Sequence, residues 1–389
     1  GMWTVWNVPP LAAGTGCMRA TATKEGVPTA FPRAISPPRP SLSMSQTTPR
    51  TGGPKATIYD VAEHAGVSIA TVSRTFNGTG SVAESTRDRV RAAARTLRFR
   101  PSRAARSLAQ RQASTIGVAV PAFTTPFHNE LLKGVRDRLD GHESDLLLHD
   151  LDWKRPAESL RTFLAQGAID GLLLAGVEAA PDLRLEMGTL GGPAVVLGAA
   201  ADGLDTFEWD DEEGARRATR HLLQQGGAAI RMIATHHEDP TCSARIAGYE
   251  AALREAGINA QDDWVAAGTT DKQAGYSAES GREAMQVLLG RARSANASID
   301  AVFASSDVQA MGAWQALRDE GLRVPEDVAL IGYDDVKTSR FIGLSSVSQH
   351  ITEVGWEATD LLLQRMEGSA PPTPVSRTVV PDVMSRGSA

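Results

Sequence analysis

The 389-residue sequence predicts an α/β protein, with a three-helix helix-turn-helix head near its N-terminal end and a body of two lobes with parallel sheets. Residues 57–98 show three short helical patterns. From Thr115 onward, short apolar runs alternate with helical stretches, which is typical of βαβ units and parallel sheets. This alternation covers about 270 residues, more than one sheet comfortably holds, so two α/β lobes are expected.

The elements of the body follow from these runs. Seven buried strands are expected at 116–120, 145–149, 171–175, 194–197, 230–233, 301–304 and 328–331. The helices expected between them span 127–140, 156–166, 211–225, 242–256, 275–292 and 307–320.

The changes of pattern also set the expected domain limits. Residues 1–54 are rich in Pro, Gly, Ser and Thr and are expected to be a disordered tail, with Met44 as the native start. Residues 55–98 form the head, 99–113 a basic connector and 114–389 the body. The expected lobe limits are about 114–208 with 349–377 for lobe 1, and about 209–348 with 378–389 for lobe 2.

Charge is divided unevenly along the chain. Residues 55–112 carry eleven Lys or Arg against four Asp or Glu, a net charge of +7. Residues 1–54 carry five bases and one acid, a net charge of +4. Because the net charge of the whole chain is −6, residues 113–389 must carry a net charge of −17. A basic segment joined to an acidic body indicates a polyanionic partner for the first part only.

Several function classes find no support in the sequence. Cys17 and Cys242 show neither metal-ligand spacing nor a disulfide framework, and a reducing cytoplasm fits them. No run of 18 apolar residues could span a membrane, and Met2–Cys17 lacks the pattern of a signal peptide. No Gly-rich phosphate loop or nucleophile elbow is present, so no catalytic residue, cofactor or metal is expected. The segment 236–239 (His-His-Glu-Asp) is interpreted as a solvated loop, because adjacent residues point apart.

Residues 57–77 predict the helix-turn-helix itself. Thr57 and Ser68 are expected to cap its two helices, and Gly66 to end the first helix in a left-handed conformation. One apolar stripe joins Ile58, Val61, Ala62 and Ala65. A third helix over 83–97 is expected to cover the first two.

The outward face of the second helix holds the candidate DNA-reading residues. Arg74 can pair with guanine, while Ile69 and Ala70 can contact thymine methyl groups. The candidate phosphate donors are Tyr59, Ser68, Thr71, Ser73 and Asn77. The alternative is a generic three-helix bundle with a solvated basic face, which the combination of two caps, a Gly turn and the +7 charge makes less probable.

The string from Asp60 to Arg74, with its Ala-Gly-Val-Ser turn, closely resembles the opening of the lactose/galactose repressor (LacI/GalR) family. Residues 100–108 resemble the hinge helix of that family. The resemblance implies a homodimer or tetramer that binds palindromic operator DNA, with Arg106 and Leu108 in the hinge contact. Leu108 would wedge apart a base step in the minor groove; the alternative is a lone apolar residue in an Arg-rich linker.

The body resembles the periplasmic-sugar-binding-protein fold that the family uses to bind effectors between two lobes. The resemblance implies effector contacts from Phe127, His128, Arg245, Tyr276, Ser306, Asp334 and Gln349. Core packing for Phe127, a solvated helix start for His128 and a surface salt bridge for Arg245 are the alternatives. Asp307 could cap a helix or contact the ligand. Gly198 stands where many relatives carry an acidic contact, so the effector need not be a common sugar.

These observations predict a cytoplasmic, ligand-responsive DNA-binding regulator, most simply a repressor, controlled by a sugar or sugar derivative. Alternatives are a nucleoside-responsive regulator and an exported small-molecule binding protein. The basic head and the missing signal peptide argue against the exported protein. No enzyme and no membrane partner are expected.

Overall fold

The computed structural model describes residues 56–77, 80–99, 114–167, 169–235, 240–270 and 272–389. Of Asn77 and Lys272 it describes the backbone only. None of the helices in these ranges combines the length and apolarity that a membrane span requires.

The head consists of helices α1 (Ile58–Ala65), α2 (Ile69–Asn77) and α3 (Glu84–Thr96). The backbone N–H of Thr57 donates to Asp60 Oδ2 at 2.6 Å, and Asp60 N–H donates back to Thr57 Oγ1 at 3.4 Å, which forms a capping box. Gly66 ends α1 in the left-handed conformation with φ 63°. The predicted caps and turn are therefore confirmed. The apolar stripe packs into a core of Val61, Ala62, Ala65, Val72, Val90, Ala93 and Ala94.

The first sheet of the body has six strands in the order β11-β5-β4-β3-β1-β2, all parallel to their neighbours. Its strands are β1 (Thr115–Val120), β2 (Asp145–Asp150), β3 (Gly171–Ala175), β4 (Ala194–Leu197), β5 (Asp205–Trp209) and β11 (Ser376–Val379). The helices that accompany it are α4 (Pro126–Leu139), α5 (Pro156–Leu164), α6 (Pro181–Met187) and α12 (Ile351–Glu367).

The second sheet has the order β12-β10-β9-β8-β6-β7, in which only the β10–β12 pair is antiparallel. Its strands are β6 (Ile230–Ala234), β7 (Val265–Ala267), β8 (Ala301–Ala304), β9 (Ala329–Asp334), β10 (Ser345–Ser348) and β12 (Asp382–Met384). Its helices are α7 (Asp211–Gln224), α8 (Pro240–Glu255), α9 (Ala278–Ala295), α10 (Asp307–Asp319) and α11 (Lys337–Ile342). The predicted fold, a helical head and an α/β body with parallel sheets, is confirmed.

One helix boundary differs clearly from the sequence prediction. The helix expected over 275–292 begins at Ala278 and continues to Ala295. Gln273 and Ala274 lie in the left-handed region, which interrupts a helix, and Ser277 then caps α9 through the backbone N–H of Ser280. The polar cap, not the apolar pattern, fixes where this helix starts.

The chain passes between the two sheets three times, after Trp209, between Ser348 and Ile351, and between Val379 and Asp382. The expected lobe limits near 208 and 377 fall inside β5 and β11, so we place these limits after the two strands. The crossing segments contact one another: Asp210 N–H donates to the Val379 carbonyl at 2.9 Å. They therefore form one bundle of backbone between the lobes.

Glycines allow three helix pairs to pack closely. A Cβ at Gly134 of α4 would overlap the carbonyl oxygen of Thr352 in α12. Gly248 of α8 meets the Glu212 carbonyl of α7 in the same way, and Gly312 of α10 meets the Ala278 carbonyl of α9. Because these contacts are between backbones, a side chain at any of the three glycines would push its helix pair apart.

Candidate functional site

The candidate reading face of α2 is exposed. Ile69, Ala70 and Arg74 all lie at the surface, and Ser73 and Thr71 are half-buried. Among the described residues, no carboxylate lies within ion-pair distance of Arg74, whose aliphatic stem passes beside Gly80. This helix therefore presents one guanidinium and two small apolar surfaces to solvent. It can insert into a major groove without first breaking an ion pair.

The candidate phosphate-binding residues differ in how available their side chains are to DNA. Tyr59 is 66% exposed at the start of α1. Ser68 Oγ accepts from the backbone N–H of Thr71 at 3.2 Å and contacts Thr71 Oγ1 at 2.9 Å, so the hydroxyl first serves as the cap of α2. The side chain of Asn77 and the hinge residues Arg106 and Leu108 lie outside the described residues.

Arg245 of α8 is the centre of a buried polar network in lobe 2. Its Nε and Nη2 both approach Asp211 Oδ1 at 2.8 Å, and Nη1 donates to the Ser305 carbonyl. The guanidinium carbon lies 3.8 Å from the ring centre of Tyr333. Burial lowers the pKa of Arg245, but Asp211, Tyr333, Tyr276 and Asp334 together more than offset this and raise the pKa well above the ordinary value. The salt bridge that the sequence offered as an alternative is therefore present, but it is buried.

Asp334 and Gln349 extend this network. With its amide nitrogen toward Asp334, Gln349 donates to Oδ1 at 3.1 Å and accepts from Arg245 Nη2 at 3.2 Å. Asp334 has φ 104°, a backbone conformation that non-glycine residues rarely adopt. Burial raises the pKa of the Asp334 carboxyl well above its usual range, although Arg245 lowers it. Strain and a buried carboxyl together are typical of a binding site.

Ser306 and Asp307 divide the two roles that the sequence left open. Ser306, not Asp307, caps α10, because its Oγ accepts from the Gln309 N–H at 3.2 Å. Asp307 is fully buried and accepts from the hydroxyls of Ser339 and Ser346, each at 2.6 Å. Asp307 therefore ties α10 to α11 and β10. The expected effector contact of Ser306 remains a prediction, and its hydroxyl is already engaged.

Phe127 and His128 lie in lobe 1, where α4 begins. Phe127 packs against the core of this lobe and meets Trp209 edge-to-face, with ring centres 5.7 Å apart. His128 is buried and shares a 2.8 Å hydrogen bond with Thr125 Oγ1. Burial lowers the pKa of His128 to about 4, although the Ala122 carbonyl opposes this shift. His128 is therefore not a solvated helix start; it is a neutral, buried imidazole.

Trp209 connects the two halves of the site. Its Nε1 donates to the Gln349 carbonyl at 2.7 Å, so the aromatic pair of lobe 1 meets the polar network of lobe 2. Gly198, with φ 89°, lies against the indole. Tyr276 is half-buried and interacts electrostatically with Arg245. We call this group the cleft network; it comprises Phe127, Trp209, Asp211, Arg245, Tyr276, Ser305, Asp334 and Gln349.

Three members of the cleft network were not predicted from the sequence: Trp209, Asp211 and Ser305. Trp209 ends β5 and Asp211 begins α7, so both follow the general rule that ligand-binding residues cluster at the carboxyl ends of parallel strands. The missing signal was β5 itself, whose sequence Asp-Thr-Phe-Glu-Trp lacks a continuous apolar run. Across the described residues, no cluster of His, Cys, Asp and Glu converges as a metal site.

Comparisons with known proteins find matches for both the head and the body. Residues 57–102 match the family described as bacterial regulatory proteins of the lacI family, and 219–389 match a periplasmic binding protein-like domain. The HTH-type transcriptional repressor CytR of Escherichia coli strain K12 is 34% identical over 320 residues, which cover 80% of this chain and 90% of CytR. The chain belongs to the LacI family.

Two further matches each cover 86% of this chain. The ribose operon repressor of Escherichia coli strain K12 is 34% identical over 342 residues, which cover 86% of this chain and all of that protein. The crystal structure of the lac repressor dimer, bound to operator and the anti-inducer ONPF, superposes with a TM-score of 0.67 at 26% identity. It covers 86% of this chain and 98% of the repressor chain. LacI-family membership thus extends from the head through the body.

Proposed function

We propose that this LacI-family chain is a transcriptional repressor that binds a palindromic operator as a homodimer and is controlled by a small molecule in its cleft. The observation that carries the proposal is the pairing of two sites in one chain. The head exposes a candidate reading face around Arg74, and the body buries a polar network around Arg245. Neither the residues nor the relatives indicate a catalytic function, so we propose no enzymatic activity.

The proposed DNA contacts divide into reading and positioning roles. Arg74 would read guanine, and Ile69 and Ala70 would contact thymine methyl groups, because these side chains project from one exposed face of α2. Positioning on phosphates is proposed for Tyr59, Ser68, Thr71, Ser73 and Asn77. In the hinge, Arg106 would contact the backbone and Leu108 the minor groove. Because its proposed target is DNA, we propose a cytoplasmic location.

Exposed apolar side chains support a dimer through the body. Phe341 is 80% exposed at the end of α11, beside the partly exposed Ile342. Leu146 and Leu148 project from β2, which is an edge strand of its sheet among the described residues. Exposed apolar side chains of this size are common at protein–protein contacts. A two-fold dimer would then place two heads on the two half-sites of a palindrome.

Effector control is proposed to act through closure of the lobes around the cleft network. Asp334 and Gln349 would accept and donate hydrogen bonds to the ligand, with Arg245 held behind them. Phe127 and Tyr276 would pack on its ring. His128 and Ser306 would support the two walls of the cleft. A sugar or a nucleoside fits this chemistry, and by linkage ligand and DNA must change each other's affinity by the same factor, typically ~5–150-fold.

The test is to select duplexes that the full-length protein retains from a random pool and to measure their affinity with and without candidate effectors. We expect a palindromic site whose affinity changes in the presence of one sugar or nucleoside. Asp334→Asn should abolish that change while leaving the affinity of the ligand-free protein for DNA intact. Retention of random duplexes alone, or an unaltered ligand response in Asp334→Asn, would contradict the proposal.

A further inference from the structure

The charges of the cleft network bear on the class of effector. Arg245 has five N–H donors, and four contacts are already made: Nε and Nη2 to Asp211, Nη2 to Gln349 and Nη1 to the Ser305 carbonyl. The residue is 4% exposed, and Tyr333 covers one face of its guanidinium. Arg245 therefore does not offer an open fork to an incoming carboxylate or phosphate.

Asp211 also cancels the charge of Arg245. The two oppositely charged groups are in direct contact, and both side chains are largely removed from water. A ligand anion would have to displace Asp211 and leave its carboxylate buried without a partner, or enter beside a neutral pair. Both routes are costly, because an unpaired buried charge loses its hydration.

The other described cations near this network are engaged as well. Arg340 and Arg386 both bind the buried carboxylate of Asp335, the neighbour of Asp334. His128 contributes no positive charge at neutral pH, because burial lowers its pKa to about 4. Among the described residues, these cations are thus already bound to carboxylates and are not free to pair with an anionic ligand.

The polar atoms of the cleft network that still have hydrogen-bonding capacity are suited to an uncharged ligand. Ser305, fully buried at the carboxyl end of β8, has a hydroxyl without a hydrogen-bond partner among the described residues. Asp334 receives one described hydrogen bond, from Gln349, and retains oxygen lone pairs for donors. Hydroxyl or amide groups satisfy such atoms without adding charge.

We infer that the effector of the proposed regulator is an uncharged molecule rich in hydroxyl or amide groups, and that the Asp211–Arg245 pair excludes phosphorylated and carboxylated ligands. The inference rests on the proposed function and narrows it. Free sugars and nucleosides belong to the accepted class. Sugar phosphates, sugar acids and nucleotides do not.

The first test uses matched compounds that differ only in charge, with the unfolding temperature of the full-length protein as the readout. The pairs are ribose and ribose 5-phosphate, cytidine and cytidine monophosphate, and cellobiose and cellobionate. We expect each compound that stabilises the protein to be the neutral member, with its anionic counterpart at least ~10-fold weaker. Tighter binding of an anionic member overturns the inference.

The second test requires no knowledge of the effector. The unfolding temperature is compared in inorganic phosphate and in chloride at equal ionic strength for wild type, Asp211→Asn and the double variant Asp211→Asn/Arg245→Met. The basic head contributes equally to all three. We expect phosphate to stabilise Asp211→Asn more than wild type, because Arg245 is then uncompensated, and the double variant to lose that gain. Equal phosphate shifts in all three proteins overturn the inference.

If Asp211→Asn does not fold, the comparison of phosphate with chloride can be made with wild type and Arg245→Met alone. A phosphate shift that is as large in Arg245→Met as in wild type supports a closed Arg245. A phosphate shift that Arg245→Met removes from wild type shows that the cleft already binds anions, and overturns the inference. If phosphate behaves as expected but no compound alters DNA affinity, the regulator proposal fails while the assignment of the Asp211–Arg245 pair stands.

Discussion

The indole nitrogen of Trp209 donates a 2.7 Å hydrogen bond to the backbone carbonyl of Gln349. Trp209 is the last residue before the first crossing between the lobes, and Gln349 lies in the second crossing. The side chain of Gln349 meanwhile contacts Arg245 and Asp334. A ligand that binds Asp334 would therefore be connected, through the side chain of Gln349, to the second crossing between the lobes.

Arg74→Ala should reduce discrimination between selected and random DNA. Arg74 lies on the exposed face of α2 with no ion pair among the described residues, and a base-reading guanidinium contributes about 1–3 kcal/mol of discrimination. The measurement is the ratio of the two affinities at one salt concentration. Arg136→Ala on the body, which also removes an exposed arginine, should leave the ratio unchanged. An equal loss of affinity on both DNAs would assign Arg74 to phosphate instead.

Phe341→Asp should weaken the dimer. The side chain is the most exposed of the described large apolar residues, and burying a carboxylate in an apolar interface is unfavourable. Sedimentation of the full-length protein over a range of concentrations should show more monomer than wild type. Leu185→Asp is the control, since Leu185 is also highly exposed, at 72%, but lies on α6 outside the proposed interface. Its sedimentation should match that of wild type. Unchanged sedimentation of Phe341→Asp would place the interface elsewhere.

Asp307 should make stability depend on pH. Burial raises its pKa to about 7, although hydrogen bonds from Ser339 and Ser346 oppose the shift. Between about pH 4 and pH 7 the folded protein therefore binds a proton that the unfolded chain releases, so this contribution to stability is lost as pH rises through the window. A shift of this size corresponds to roughly 4 kcal/mol.

Asp307→Asn should remove that pH dependence, because the amide keeps the shape of the side chain but does not titrate. Urea unfolding of wild type and variant across this pH range measures the effect. The free energy of unfolding should fall more steeply with pH for wild type than for Asp307→Asn. Parallel curves would mean that Asp307 is ionised in the folded protein at all these pH values.

Gly248→Ala should destabilise lobe 2. The added methyl would overlap the Glu212 carbonyl where α7 and α8 cross, and such overpacking costs about 1–3 kcal/mol. Gly290→Ala is the matched control within α9, since no atom outside its own helix backbone lies within 4 Å of the new Cβ. It should gain about 0.5–1 kcal/mol from helix propensity. Equal effects of the two substitutions in thermal unfolding would contradict the close-packing explanation.

The sequence was sufficient wherever burial is continuous. The seven predicted strands are apolar runs, and each matches an observed strand within a few residues. Six of them are buried as expected, but the prediction of burial was wrong for β2, an edge strand that exposes Leu146 and Leu148. β10 was not predicted because it reads Ser-Ser-Val-Ser, and its polar side chains are buried against polar partners. Ser346, for example, donates to Asp307. Such strands are stabilised by specific hydrogen bonds, which hydrophobic periodicity does not report.

The candidate site shows the same division. Arg245, Asp334 and Gln349 were each predicted, and the structure brings them into contact. Their most important neighbour, Asp211, was not predicted, because its place depends on where β5 ends and on which helix face it occupies. The sequence thus indicates which polar residues lie near the ends of strands. Which of them form ion pairs, and therefore the net charge of the site, depends on tertiary structure.

The three crossing segments also limit how the body can move. Asp210 bonds to Val379, Trp209 to Gln349 and His350 to Asp382, the last at 3.2 Å, so the segments are fastened side by side. Sliding or twisting of one lobe against the other would break several of these hydrogen bonds at once. A hinge rotation about the crossing segments would keep them, so it is the motion that we expect. We therefore expect an effector bound at the cleft network to act on the head through that one rotation, whatever its chemical structure.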